Sequence, residues 1–196
     1  MRQFFDAMLG RSRPVKSKLE KLFAISTAYL TLTVDQRLQP GGRAGICFRA
    51  IESSRFTSLE DELRDLLKIS GKESGTTVKA MTDSYNFQWI VMEAQDFDEL
   101  VATIHMVSLT LQDWQFGEQL LAAVFRFERP AGAVYWIYNY KRGAFYPFVP
   151  AGPGGAAGQS QARDNAFELK LAAVMERELA VDKDPERWYA LWGVPV

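Results

Sequence analysis

Three runs of alternating residues, LLAAVFRFE, AVYWIYNY and AFYPFV, follow one another between residues 120 and 149. Only residues 129–132 and 141–143 are left over as connections. A period of two puts successive side chains on opposite faces of a strand. Connections this short join antiparallel neighbours, because a parallel crossover needs a dozen residues or more. The whole stretch is thereby committed to an antiparallel sheet whose apolar face needs a cover.

Helical periods supply that cover. RPVKSKLEKLFAIS sets Val15, Leu19, Leu22 and Phe23 on one stripe. FTSLEDELRDLLKISG reads as a helix with Thr57 and Glu60 as a capping box, Leu59, Leu63, Leu66 and Leu67 inward and Gly71 at its exit. DFDELVATIHMVSLTLQDW has acidic residues in its first turn and an apolar face of Phe97, Leu100, Val101, Ile104 and Leu111. DNAFELKLAAVMEREL follows, with Asn165 and Glu168 as a capping pair and Phe167, Leu171, Val174 and Leu179 inward. Two further hairpins complete the pattern. YLTLTV alternates Leu30, Leu32 and Val34 with Thr31 and Thr33, QPGGRA reads as a turn, and GICFRAI as the returning strand. TTVKAMT and FQWIVME pair around Asp83, Ser84, Tyr85 and Asn86.

The expected order is α-ββ-α-ββ-α-βββ-α, an α+β fold with a mostly antiparallel sheet built from hairpins and about four helices. Residues 1–14 read as an amphipathic basic segment and residues 15–196 as a single domain, in which the repeated helix-then-hairpin unit hints at two similar halves. Residues 151–162 read as a flexible glycine-rich loop. The tail DPERWYALWGVPV, with Trp188, Tyr189 and Trp192, is too apolar to float free.

Charge and residue inventory exclude several functions. A net charge of -1 across 196 residues argues against nucleic acid as a partner. Cys47 is the single cysteine, so no internal disulfide forms, which suits a reducing cytoplasm. No apolar run is long enough to span a bilayer, and Asp6 breaks the N-terminal apolar stretch that a secretion signal needs. His105 is the single histidine and reads as a packed or half-exposed helix residue, with no nucleophile motif beside it. Cys47, between Ile46 and Phe48, reads as a small buried hydrophobe. Neither sits in a metal-ligand spacing, and no metal or cofactor is expected. The carboxylates of LEDEL and DFDEL are explained by helix starts. GPGGAA, residues 152–157, has the form of a weak dinucleotide fingerprint, but the following helix cap, at Asp164 or Asn165, comes several residues too late.

Two segments remain as contact candidates. Lys141 and Arg142 sit at a hairpin tip among Tyr138, Tyr140, Phe145 and Tyr146, which suggests a cation–aromatic partner site at Tyr140, Lys141, Arg142, Phe145 and Tyr146. The favoured reading packs those aromatics into the sheet while the two cations keep the tip soluble, and the tip stays a candidate beside it. Phe4, Phe5, Met8 and Leu9 share one side if residues 1–14 turn helical, with basic residues around them, the pattern of a membrane or partner docking segment. Packing against its own domain is the leading reading, ahead of that one. A rival of another class is an enzyme or small-ligand protein that grips an anion through Arg126, Arg142 and Tyr140 in a cleft between the halves.

FFDAMLGRSRP at 4–14, GICFRAIE at 45–52, YKRGAFYPF at 140–148, RDNAFEL at 163–169 and RWYALWGVP at 187–195 together resemble the PspA-associated protein B family of actinobacteria. The resemblance runs the length of the chain, and the glycine-rich stretch at 151–162 is longer than it leads one to expect. It implies a cytoplasmic role, peripheral at the inner membrane face, beside PspA, the coiled-coil membrane-maintenance protein of phage-shock-type envelope stress systems. The expected function is a non-catalytic adaptor that binds PspA or a companion protein. The resemblance brings no catalytic residues with it and leaves the oligomeric state open.

Overall fold

The computed structural model describes residues 16–49, 62, 75–151 and 162–196. Its helices are α1 (Lys16–Leu22), α2 (Ala24–Val34), α3 (Phe97–Asp113) and α4 (Asn165–Met175). Its strands are β1 (Gln39–Arg49), β2 (Thr77–Thr82), β3 (Phe87–Glu93), β4 (Leu120–Arg129), β5 (Gly132–Asn139), β6 (Ala144–Phe148), β7 (Pro150–Ala151) and β8 (Ala162–Arg163). Six strands form one antiparallel sheet in the order β2-β3-β1-β4-β5-β6, and β7 pairs with β8 beside it. The class is α+β, and the three-strand run at 120–149 forms the meander that its alternation requires.

Alternation divides the sheet into two apolar faces. Ala44, Ile46 and Phe48 of β1, Phe125 and Phe127 of β4 and Trp136 and Tyr138 of β5 point to one side, where Leu19, Leu22, Ile25, Leu32, Leu100 and Ile104 of the helices cover them. Phe97 joins this interior by packing at 5.9 Å on Phe125, 5.3 Å on Phe127 and 5.0 Å on Tyr29. Each such fully buried side chain contributes roughly 1.5–3 kcal/mol. The other face carries Cys47, Trp89, Val124, Ile137, Tyr146 and Phe148. It is closed mainly by the C-terminal tail through Trp188, Trp192 and Val196, with Ala172 of α4 joining them. Gly45 makes room for this. A Cβ there would stand 2.9 Å from a Val196 methyl, so only hydrogen lets the last residue seat on β1.

The first expected hairpin is corrected. YLTLTV is the second half of α2, and the chain enters the sheet as one long strand. Ile25, Ala28 and Leu32 are fully buried at helical spacing, while Leu30 and Val34 are 56% and 73% exposed. The alternation of Leu30, Leu32 and Val34 therefore puts them on different sides of a helix; the helical period emerges only when Ile25 and Ala28 are counted. QPGGRA is likewise part of β1 and not a turn. Gly42 adopts φ +69°, and the register against β4 shifts between Pro40 and Ala44, so the glycines form a bulge in a continuous strand.

The second hairpin follows its turn chemistry. Asp83 accepts hydrogen bonds from the Tyr85 and Phe87 backbone N–H groups, both at 2.9 Å, and Asn86 takes the left-handed position. Helix α3 is capped by Asp96, which accepts from Asp98 N–H at 2.8 Å, and all five of its expected inward residues are buried. The cap of α4 is Asp164, whose carboxylate accepts from Phe167 N–H at 3.0 Å, so Asn165 is the first helical residue and not the cap. Leu171 and Leu179 are buried, whereas Val174 is exposed. The helix expected at 57–71 and Val15 lie outside the described residues, apart from Glu62, which is helical and exposed.

Candidate functional site

The β5–β6 turn is built by Asn139. Its side-chain oxygen accepts from Arg142 N–H at 3.1 Å, its backbone carbonyl accepts from Gly143 N–H at 2.8 Å, and Gly143 supplies φ +65°. The turn thus holds Lys141 and Arg142 outward, and both are exposed. The aromatic members of the expected contact surface are core residues instead. Phe145 is fully buried and Tyr146 is 3% exposed. Tyr140 continues the Trp136–Tyr138 alternation onto the helical face, where its hydroxyl meets Ser108 Oγ of α3 at 2.6 Å. Ser108 donates to Ile104 carbonyl at 2.6 Å, so the Tyr140 hydroxyl is the donor toward Ser108. Burial pushes the Tyr140 phenol up, a group satisfied and sealed.

A remote segment stitches the tip in place. Phe145 N–H donates to Ala180 carbonyl and Asp182 N–H to Phe145 carbonyl, both at 2.8 Å, so residues 180–182 run along the outer side of β6 with Val181 as a parallel bridge to Phe145. Asp182 then pairs with Arg142 at 3.2 Å. Its carbonyl accepts from Trp188 Nε1 at 3.0 Å, which ties the same segment to the tail. Burial pushes the Tyr146 phenol up. Tyr189, in the tail directly after Trp188, is 61% exposed. In the sequence, Tyr189 was recognised only as part of an apolar tail. The signal that separates it is its place directly after Trp188, which points inward.

A second polar cluster holds the roots of the glycine-rich stretch. Residues 152–161 lie outside the described residues, but Ala151 and Ala162, on either side, are paired. Glu168 is 2% exposed; its Oε1 accepts from Val149 N–H at 2.7 Å and from Arg163 Nε at 3.0 Å, and its Oε2 from Arg163 Nη2 at 2.9 Å. Arg163 Nη1 donates to Trp188 carbonyl at 2.7 Å. Glu168 thus joins a strand end, a helix and the tail, and does not serve as the helix cap expected for it. Beside it, Asp164 pairs with Arg129 at 2.9 Å, and Arg129 lies 4.1 Å from the Phe167 ring centroid.

The Asp164 carboxyl is held below the usual carboxylate range, first by its hydrogen bond from Arg129 and then by Phe167 N–H. A depressed folded-state pKa stabilises the fold above the unfolded value near 4, and that contribution is lost as pH falls through the folded value. Asp164→Asn keeps a capping side chain and removes the charge. It is expected to lower stability by up to about 1 kcal/mol at neutral pH, the scale of a partly exposed pair. The difference from the parent should shrink toward zero in strong acid, as read from urea midpoints at the two pH values.

The remaining candidates separate. Arg126 lies on the tail-covered face, donating to Val196 carbonyl at 3.2 Å and to Glu128 at 3.0 Å, while Tyr140 lies on the helical face. Arg126, Arg142 and Tyr140 therefore do not converge on one anion. Cys47 is buried, and desolvation first, then Asp83, push its thiol up to about 12, so it is no nucleophile. His105 packs at 4.1 Å on Phe23, and burial lowers its pKa, as for the half-exposed helix residue expected. Phe4, Phe5, Met8 and Leu9 lie outside the described residues. Among the described residues, no helix is long and apolar enough to cross a membrane.

Comparison with known proteins gives one match. A family model described as PspAB, PspA associated protein B, matches residues 2–196. No curated protein and no solved structure matches the chain.

Proposed function

This chain belongs to the PspA associated protein B family, and we propose that it is a non-catalytic adaptor of a PspA-type membrane stress response, binding PspA or a companion protein at the inner face of the membrane. The observation that carries the reading is a family match over essentially the whole chain whose description names association with PspA. The contact surface assigned to it is the β5–β6 tip, where Lys141 and Arg142 are exposed and Asp182 fixes Arg142 from the side. Exposed cations on a rigid turn suit an acidic partner surface, because rim charges set encounter rate and register. The core aromatics Tyr140, Phe145 and Tyr146 support the tip from beneath. Peripheral membrane contact through Phe4, Phe5, Met8 and Leu9 belongs to the same proposal.

The test is recovery of PspA-system proteins from stressed cells by the tagged chain and by Lys141→Glu with Arg142→Glu. The parent should recover PspA or a companion, and the double reversal should weaken recovery roughly tenfold, about 1.4 kcal/mol, with a thermal midpoint lowered only slightly by loss of the Arg142–Asp182 pair. A parent that recovers no PspA-system protein sinks the adaptor reading. A variant that recovers as much as the parent removes the tip from it.

A further inference from the structure

Helix α2, AISTAYLTLTV, has no charged residue in 11 positions. One side of it, Ile25, Ala28 and Leu32, is fully buried. On the other side Phe23, Thr27, Leu30 and Val34 follow at steps of four, three and four, which line up as a seam on a helix. Phe23, Leu30 and Val34 are 39%, 56% and 73% exposed. Phe23 already packs on His105, but Thr27 is the one polar residue of this uncharged side, and a side that faces water ordinarily carries charge.

We propose that residues 1–14 of the same chain cover this seam, placing Phe4, Phe5, Met8 and Leu9 against Phe23, Thr27 and Leu30. The segment joins the fold at the start of α1, seven positions before Phe23. Residues 10–15 form a tether that spans at most about 20 Å, and Lys16 to Phe23 rises about 10 Å along the helix. Leu9 therefore reaches back to Phe23 and beyond with slack to spare. The tether also holds the segment at millimolar effective concentration, so a contact too small to join separate molecules is sustained within one. A second copy is a poorer cover, because one 11-residue helix offers far less than the roughly 800 Å² per partner that stable association buries. The inference stands apart from the identity of any partner. It makes the same four side chains either a cover for α2 or a free docking segment, never both at once.

The test uses Met8→Cys carrying a nitroxide on the full chain, with Cys47 left in place because its buried thiol, pushed up to about 12, resists labelling. In a uniformly ¹⁵N-labelled chain, amide signals from Phe23 to Leu30 should lose intensity through the paramagnet, and Leu30→Glu with Val34→Glu should restore them. Those two side chains are exposed, so the variant keeps its core. Undiminished α2 signals overturn the proposal. So does a loss that survives the double glutamate variant, or one seen only when spin-labelled unenriched chains are mixed with unlabelled ¹⁵N chains, which would assign the seam to a second copy.

Discussion

Glu168→Ala is expected to lower the free energy of unfolding by about 3–5 kcal/mol, the scale of removing one partner from a buried ion pair. The carboxylate is 2% exposed and is an acceptor for Val149 N–H and for two nitrogens of Arg163. Alanine leaves a strand-end N–H and two nitrogens of the Arg163 guanidinium without acceptors in a place water reaches poorly. Glu168→Gln should fall between the two, because the amide retains one oxygen for Val149 but sets an NH₂ against Arg163. Urea denaturation with an unchanged slope, together with a thermal midpoint lower by on the order of 10 °C, would bear this out. A loss below about 1 kcal/mol for Glu168→Ala would mean that the cluster is solvated and not structural.

Trp188→Ala should cost about as much, roughly 3–5 kcal/mol. Trp188 is 5% exposed, its indole N–H donates to Asp182 carbonyl, and its own carbonyl accepts from Arg163. It anchors the tail over Trp89, Val124 and Ile137. The variant is expected to bind an apolar fluorescent dye under native conditions, which the parent should not do. Alanine keeps the carbonyl that accepts from Arg163, but a loosened tail draws that carbonyl away from Arg163 and so disturbs its pair with Glu168; the two losses should not add. A double-mutant cycle is expected to return a coupling of about 0.5–3 kcal/mol. Full additivity would show that the tail and the α4 cluster hold independently.

Period-two alternation over residues 120–149 left one arrangement for β4, β5 and β6, because the connections were too short for anything else. The same period misled at Leu30, Leu32 and Val34, where a six-residue window cannot separate a strand from a helix whose inward residues lie upstream. Alternation also held the answer at the tip: Tyr140 shares a face with Trp136 and Tyr138, and that face was already committed to the helices. What no local pattern reveals is partnership across distance. Asp182 meets Arg142 across 40 positions, and Glu168 meets Val149 across 19. Acidic residues near a helix start read as caps; Asp164, one of the two caps the sequence offers, is one, and only the folded chain shows that Glu168 serves a strand.

The position of β1 at the centre of the sheet has a consequence in time. Its neighbours are β3 and β4, so Gly45 waits for Val91 and then for Val124, partners about 45 and about 80 residues later. During synthesis at about 5–20 residues per second, β1 emerges seconds before either edge can be closed. Its run Ile46, Cys47 and Phe48 is apolar on both faces, and the tail that covers one of them is made last. The hairpins at 77–93 and 120–148 can form as they appear, whereas the fold as a whole is gated by one strand that is born early and paired late.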